Sequence, residues 1–232
     1  MLRLDRILAN ARVGSRSEVK KLVKAGRVTV NGEVAKTSDI RIDENTAHIE
    51  VDGQKVIYEK YVYYMLNKPA GYICATEGKV PIVLDLIAED YKGMFPCGRL
   101  DKDTTGLLLI TNDGPLAHEL LSPKKHVEKE YIVGFDTPLT EEDIAKIEAG
   151  ITFDGVSYKP AKYKKISEYS CSLTIREGRY HEIKFIFKSL GNKVTSLKRI
   201  RMKNLILDPS LKEGEYRPLR AEELADLKAI DR

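Results

Sequence analysis

The segment Gly98-Arg99-Leu100-Asp101-Lys102-Asp103-Thr104-Thr105-Gly106 places two carboxylates in a polar loop bounded by glycines, directly ahead of an apolar run, Leu107 to Ile110. Loops at the ends of core strands are where a rigid scaffold holds a reactive group in the open. A carboxylate held there serves as a nucleophile or as a general acid or base. The plainer role is a turn-former that bonds its own backbone. Asp101 and Asp103 lie too close in sequence to flank a sugar from opposite sides as a glycosidase pair does. Other chemistry is poorly supplied. Cys74, Cys97 and Cys171 are far apart, with no pair at metal or redox spacing. No dinucleotide-type glycine fingerprint follows a strand, and no phosphate-cradling GxxxxGK[ST] occurs. No metal and no cofactor is expected, and His118, His126 and His181 are assigned polar roles rather than acid–base ones.

The elements that must position such a loop fall into two patterns. Leu4, Ile7, Leu8 and Ala11 follow one helical stripe that stops at Gly14. Ser15 then opens a second helix, with Glu18 completing a capping box and Val19, Leu22 and Val23 as its buried face. Val28, Val30 and Val34 alternate around Asn31-Gly32, a hairpin turn signal. A polar strand-like stretch follows, and the spacing predicts two domains, 1–59 and 60–232. Beyond the boundary come short strands with polar turns: Tyr61 to Leu66 and Tyr72 to Ala75 flanking Asn67-Lys68-Pro69-Ala70-Gly71, then Leu107 to Ile110. Pro115 suits the first turn of a helix, Thr140 caps another that ends at Gly150, Ser170 to Ile175 is a strand, and Arg179 to Lys188 reads as a helix. The fold class is α+β, with a small N-terminal α/β module followed by a mixed, largely antiparallel sheet.

Charge separates the same two patterns. The net charge of the whole chain is +4, yet Met1 to Arg41 carries ten basic residues against four acidic ones. On the second helix Arg16, Lys20, Lys21 and Lys24 avoid the apolar positions and project as a basic ridge, which is either a solvated helix face or a grip on a polyanion. Lys188 to Lys203 contains Lys188, Lys193, Lys198, Arg199, Arg201 and Lys203 with no acid. That stretch reads as a strand whose outward face meets a polyanionic backbone, or as a solvated sheet edge. The N-terminus lacks a targeting pattern and no stretch approaches a membrane span, so a cytoplasmic protein is expected.

Specific motifs narrow these readings. RLDRILANARVGSRSEVKKLVKAGRVTVNGE resembles the S4 RNA-binding module. GRLDKDTTGLLLITNDG resembles the central motif of RsuA-type pseudouridine synthases, and YYMLNKPAGYICAT, EKEYIV, EGRYHEIKFIFKSLGNKVTSLKR and LKEGEYRPLRAEEL agree in order and spacing. The resemblance implies isomerisation of one uridine to pseudouridine in ribosomal RNA, in the branch acting on the 16S RNA of the small subunit. The alternatives are a large-subunit 23S enzyme, a catalytically silent assembly factor, or a glycosidase that releases free uracil. It implies that Asp101 is the catalytic carboxylate, acting on the sugar as nucleophile or as base, with Lys184 as its cationic partner and Tyr131 packed against the uracil. Asp103 stays a loop or cap residue. Read from the residues alone, Lys184 is a helix lysine in water and Tyr131 a core strand aromatic. Arg99 matches the residue that fills the space left by an everted nucleotide, its other reading being a phosphate or turn contact. Arg16, Lys20, Lys21, Lys24, Arg179, Lys198 and Arg199 are the remaining RNA-contact candidates. Phe185 departs from relatives that carry a second basic residue after the motif lysine. The expected partner is ribosomal RNA or a pre-ribosomal particle, and closure on a large RNA needs no second subunit, so a monomer is expected.

Overall fold

The computed structural model describes residues 1–11, 13–44, 46–88 and 93–229. Arg12, counted among the N-terminal cations, lies outside the described residues. The chain divides into two compact units, Met1–Tyr61 and Val62–Arg232.

In the first unit, helices Leu4–Asn10 and Arg16–Lys24 pack Leu4, Ile7, Leu8, Val19 and Val23 against Val28 and Ile49. Ser15 closes the second helix end: its hydroxyl accepts from the Glu18 amide at 3.3 Å while the Glu18 carboxylate accepts from the Ser15 amide at 2.7 Å. A four-stranded antiparallel sheet runs in the order Glu33–Val34, Val28–Val30, Ile49–Val51, Gln54–Lys55. Asn31 (φ 53°) and Gly32 (φ 84°) both take left-handed backbone, as the tight turn between the first pair requires.

The second unit is built on a nine-stranded sheet whose main path runs Lys162–Ser167, Ser170–Ile175, Lys129–Phe135, Val194–Met202, Thr105–Thr111, Tyr63–Lys68, Tyr216–Pro218. All pairings are antiparallel except that between Val194–Met202 and Thr105–Thr111. Thr105–Thr111 and Tyr63–Lys68 are buried on both faces: Leu66, Leu108 and Ile110 join one core, while Met65, Leu107 and Leu109 join the other beneath helices Gly114–Leu121 and Ala221–Lys228. A strand covered on both sides reads as a continuous apolar run rather than an alternation. Asp113 accepts from the Leu116 amide to start the first of those helices, and Thr140 with Asp143 caps Glu141–Ala149. The α+β class expected from the sequence holds.

Two expected elements differ. Tyr72 to Ala75 forms no strand; Ile73 makes a single bridge to Ile82, because the turn at Gly71 sends the segment across the catalytic-type loop rather than along the sheet. The helix expected from Arg179 begins only at Glu182. Gly178 (φ 82°) and His181 (φ 52°) hold the preceding residues in a loop that a helix cannot include.

Candidate active site

The loop bearing Asp101 is fastened from beneath by Lys68, which ends a central strand and is fully buried. Its ammonium donates to the carbonyls of Pro69 (3.0 Å), Lys102 (3.3 Å) and Thr104 (2.8 Å). The Gly71 amide donates to the same Lys102 carbonyl, and the Leu100 amide to Cys74 Sγ. Burial lowers the Lys68 pKa, and Cys74, Asp103 and Asp101 oppose that. From the sequence, Asn67 to Gly71 is only a turn; the clamp is visible solely in three dimensions. At the far end of the loop Gly106 (φ 98°) lets the backbone of the parallel neighbour approach, since a Cβ there would collide with the Arg199 carbonyl.

Asp101 faces helix Glu182–Ser189, whose first full turn carries Lys184. Lys184 Nζ lies 2.8 Å from Asp101 Oδ2 and 2.7 Å from Asp103 Oδ1. The other Asp101 oxygen lies 3.4 Å from His181 Nε2. Burial alone would lower the pKa of Lys184, but its hydrogen bonds to Asp101 and Asp103 raise it. The Asp103 carboxyl is in turn held below the ordinary range by the bond from Lys184. Asp103 is therefore an ion-pair partner, beyond the loop or cap role expected of it, and His181, to which the sequence assigns only a polar role, is a neighbour of Asp101. Each contact joins residues from distant segments, which no local pattern announces.

Tyr131, on the strand Lys129–Phe135, and Asp101 line one narrow recess of about 50 Å³ together with Leu100, Ile175, Ile183 and Leu197. Asp101, Tyr131, Arg99 and Arg179 also line a wider cleft of about 720 Å³, within the range of ligand-sized sites. Burial raises the Tyr131 phenol, against the pull of the Arg199 guanidinium beside it. The three residues expected to act together, Asp101, Tyr131 and Lys184, are thus brought to one recess, with Arg99 exposed at its rim.

Arg199 is a correction. Expected to face outward toward RNA, it is only 2 % exposed, and its Nε donates to the Leu107 carbonyl at 2.7 Å. Its strand, Val194–Met202, is interior to the sheet, so the stretch is not a solvated edge, and Arg199 itself does not face outward. Arg199 stands opposite Tyr131 in the register, which turns both side chains to the same face. Its Nη2 is buried without a hydrogen-bond partner among the described residues. Arg201 is likewise engaged, with Glu128 and Glu130, and Lys188 belongs to the preceding helix. Lys198 is half-buried. Arg179 is exposed and tied to the Ser157 carbonyl and Glu177, both at 3.3 Å. Phe185 stacks on Phe153 at 6.1 Å, which accounts for an aromatic residue at that position.

In the first unit Lys20, Lys21 and Lys24 are exposed and line a groove of about 630 Å³ with Arg3, Lys36 and Ser17. Arg16 is exposed but does not line it, and Arg3 and Lys36, absent from the expected ridge, do. Among the described residues no cluster of metal-ligating side chains occurs and no helix is long and apolar enough to cross a membrane.

Comparison with known proteins adds the following. A family model described as RNA pseudouridylate synthase matches residues 62–189, and one described as S4 domain matches residues 2–46. The chain is 46% identical to an uncharacterized RNA pseudouridine synthase of Bacillus subtilis, over 96% of this chain and 97% of that one. It is 39% identical to the ribosomal small subunit pseudouridine synthase A of Haemophilus influenzae, over 97% and 99% of the respective chains. A crystal structure of a pseudouridylate synthase aligns with TM-score 0.69 at 39% identity, covering 98% of this chain and all of that one.

Proposed function

We infer the reaction from one premise: this chain belongs to the RNA pseudouridylate synthase family. It is an RNA pseudouridine synthase with an S4 domain at its N-terminus. Its substrate, in our reading, is a uridine of small-subunit (16S) ribosomal RNA, a choice supported by the names of several relatives similar over their full length. That places its work in the cytoplasm, as a monomer on RNA or a pre-ribosomal particle.

The reaction breaks the N1–C1′ bond, turns the uracil and joins C5 to C1′; C5 loses a proton and N1 gains one. Nothing is oxidised or reduced, and no phosphoryl group moves. We assign Asp101 as the group that acts on the sugar, either attacking C1′ or removing a sugar proton. The observation that carries this is its position: an acid that lines both a narrow recess, beside Tyr131, and a wide cleft, with the Lys184 ammonium at 2.8 Å. In water such a surface pair would contribute little. Here Lys184 also bonds Asp103, which fixes it beside the carboxylate. Tyr131 supplies a flat wall for the uracil. Reaching C1′ requires eversion of the nucleotide at a cost of about a few kcal/mol, and Arg99 at the rim is placed to fill the gap it leaves. The basic groove of the S4 domain supplies RNA affinity.

RNA tritiated at uracil C5 should release label with the intact protein. Asp101→Asn should release none while binding RNA with unchanged affinity, and chromatography should find no free uracil. Normal turnover by the Asn variant would remove Asp101 from its role. Mapping pseudouridine in both ribosomal subunits of cells lacking the gene decides the target, and a missing site in large-subunit RNA would overturn the small-subunit assignment.

A further inference from the structure

Tyr180 is the aromatic residue in this region that neither the fold nor the reaction uses. It is 68 % exposed, in a loop between the strand Ser170–Ile175 and the helix Glu182–Ser189. A single exposed aromatic is ordinary; this one is held. Its ring lies on the His181 imidazole, with centroids 3.8 Å apart and planes inclined by 18°. His181 takes left-handed backbone (φ 52°), which a non-glycine residue adopts only when its surroundings enforce it. The loop is anchored on the inside by Glu182, buried, whose carboxylate accepts from the Gly178 and Arg179 amides at 2.7 Å each. One face of the tyrosine ring is thus occupied by an imidazole, and the residue remains largely open to solvent.

We propose that Tyr180, backed by His181, is a stacking platform for the RNA base next to the everted uridine. The inference rests on the reading of the reaction given above. Its geometric basis is the division of the site into two spaces. The narrow recess that holds Asp101, Tyr131, Ile183 and Leu197 does not include Tyr180, whereas the wide cleft does, together with Asp101, Arg99 and Arg179. The two spaces share Arg99, Asp101, Tyr131, Arg179 and His181, so a uridine held against Asp101 and Tyr131 leaves Tyr180, which lines only the cleft, to the adjoining nucleotide. Every base offers a π face, so stacking on an aromatic adds affinity with little sequence preference. The exposed cations Arg99, Lys102 and Arg179 beside it suit the phosphates of the same stretch.

The test uses the full chain and a fluorescent RNA fragment centred on the mapped uridine. Tyr180→Ala should raise Kd and KM by about 5- to 150-fold and leave kcat within about threefold, while Tyr180→Phe, which keeps the flat ring, should match the parent. Tyr180→Leu should behave as Ala, because bulk without a π face does not stack. RNAs made abasic at one position at a time should show a single flanking position at which the Ala variant loses nothing further. Unchanged binding by Tyr180→Ala, equal loss on every abasic RNA, or absorption of the loss at the target position itself would each overturn the proposal. Should no RNA release label, the reading of the reaction has failed. Binding of oligouridylate against its abasic counterpart then still decides the platform: Tyr180→Ala must weaken only the former.

Discussion

Lys20, Lys21 and Lys24 stand exposed along a groove of the S4 domain, while Lys68, Lys129, Lys184 and Arg199 surround the active-site cleft with their charged ends in or near fixed partners. The residue types are the same; their physics is opposite. Charges in water act through a screened field, so they are additive and individually replaceable. Charges taken out of water are costly unless each is met by a defined acceptor, so their value lies in position. In the proposed reading, one set is suited to grip a polyanion of any local shape, and the other holds one loop and one carboxylate.

The largest effect that sharpens this contrast is expected at Lys184. Lys184→Gln should lower label release at saturating RNA by about 10²- to 10³-fold, the range for losing a preorganised electrostatic contact, and Lys184→Arg should keep more of it. A Gln variant within threefold of the parent would make the cleft cation as replaceable as the ridge cations and break the comparison. Lys68→Met comes next: it strands the carbonyls of Pro69, Lys102 and Thr104, and urea denaturation should show a loss of about 3 kcal/mol or more, with turnover falling in step.

Lys129 tests the cost of burial through pH. It is 5 % exposed, and burial, with the Arg199 charge adding to it, pulls its pKa down to about 8. Between that value and the unfolded value of about 10.4 Lys129 binds its proton more in the unfolded chain than in the folded one, so its own contribution to stability should rise with pH across this window. Thermal melts of the parent and of Lys129→Met, compared at each pH, should show the stability of the parent relative to the variant rising across this window; a relative stability that falls there would contradict the burial assigned to Lys129. The smallest effects belong to the ridge. Single Gln replacements at Lys20, Lys21 or Lys24 should weaken RNA binding about two- to threefold, and the triple variant should reduce the salt slope by roughly 0.7–0.9 per lost phosphate contact. A single ridge variant that abolished binding would show a directional contact where the comparison has only a field.

Local signals in the chain are legible where the cause is local. The Ser15–Glu18 box, the Asn31-Gly32 turn, the Thr140 cap and the strand Ser170–Ile175 each depend on residues within a few positions of one another, and each is found. The proposed site trio, which the fold brings to one recess, is suggested only by motif resemblance, because Asp101, Tyr131 and Lys184 share no local pattern. Arg199 shows the limit: a basic run without acids looks like an outward face, and whether a residue points out depends on which strands lie beside it.

By itself, then, the sequence determined the α+β class, since periodicity and caps are properties of neighbouring residues, and it pointed to the reaction family through the resemblance of its motifs. Only the tertiary structure decided that Lys68 clamps the loop, that Asp103 and His181 lie against the Asp101–Lys184 pair, that Arg199 turns inward beside Tyr131, and that Tyr180 stays open to solvent. Those outcomes follow from strand order, register and burial, quantities set by contacts between segments far apart in the chain.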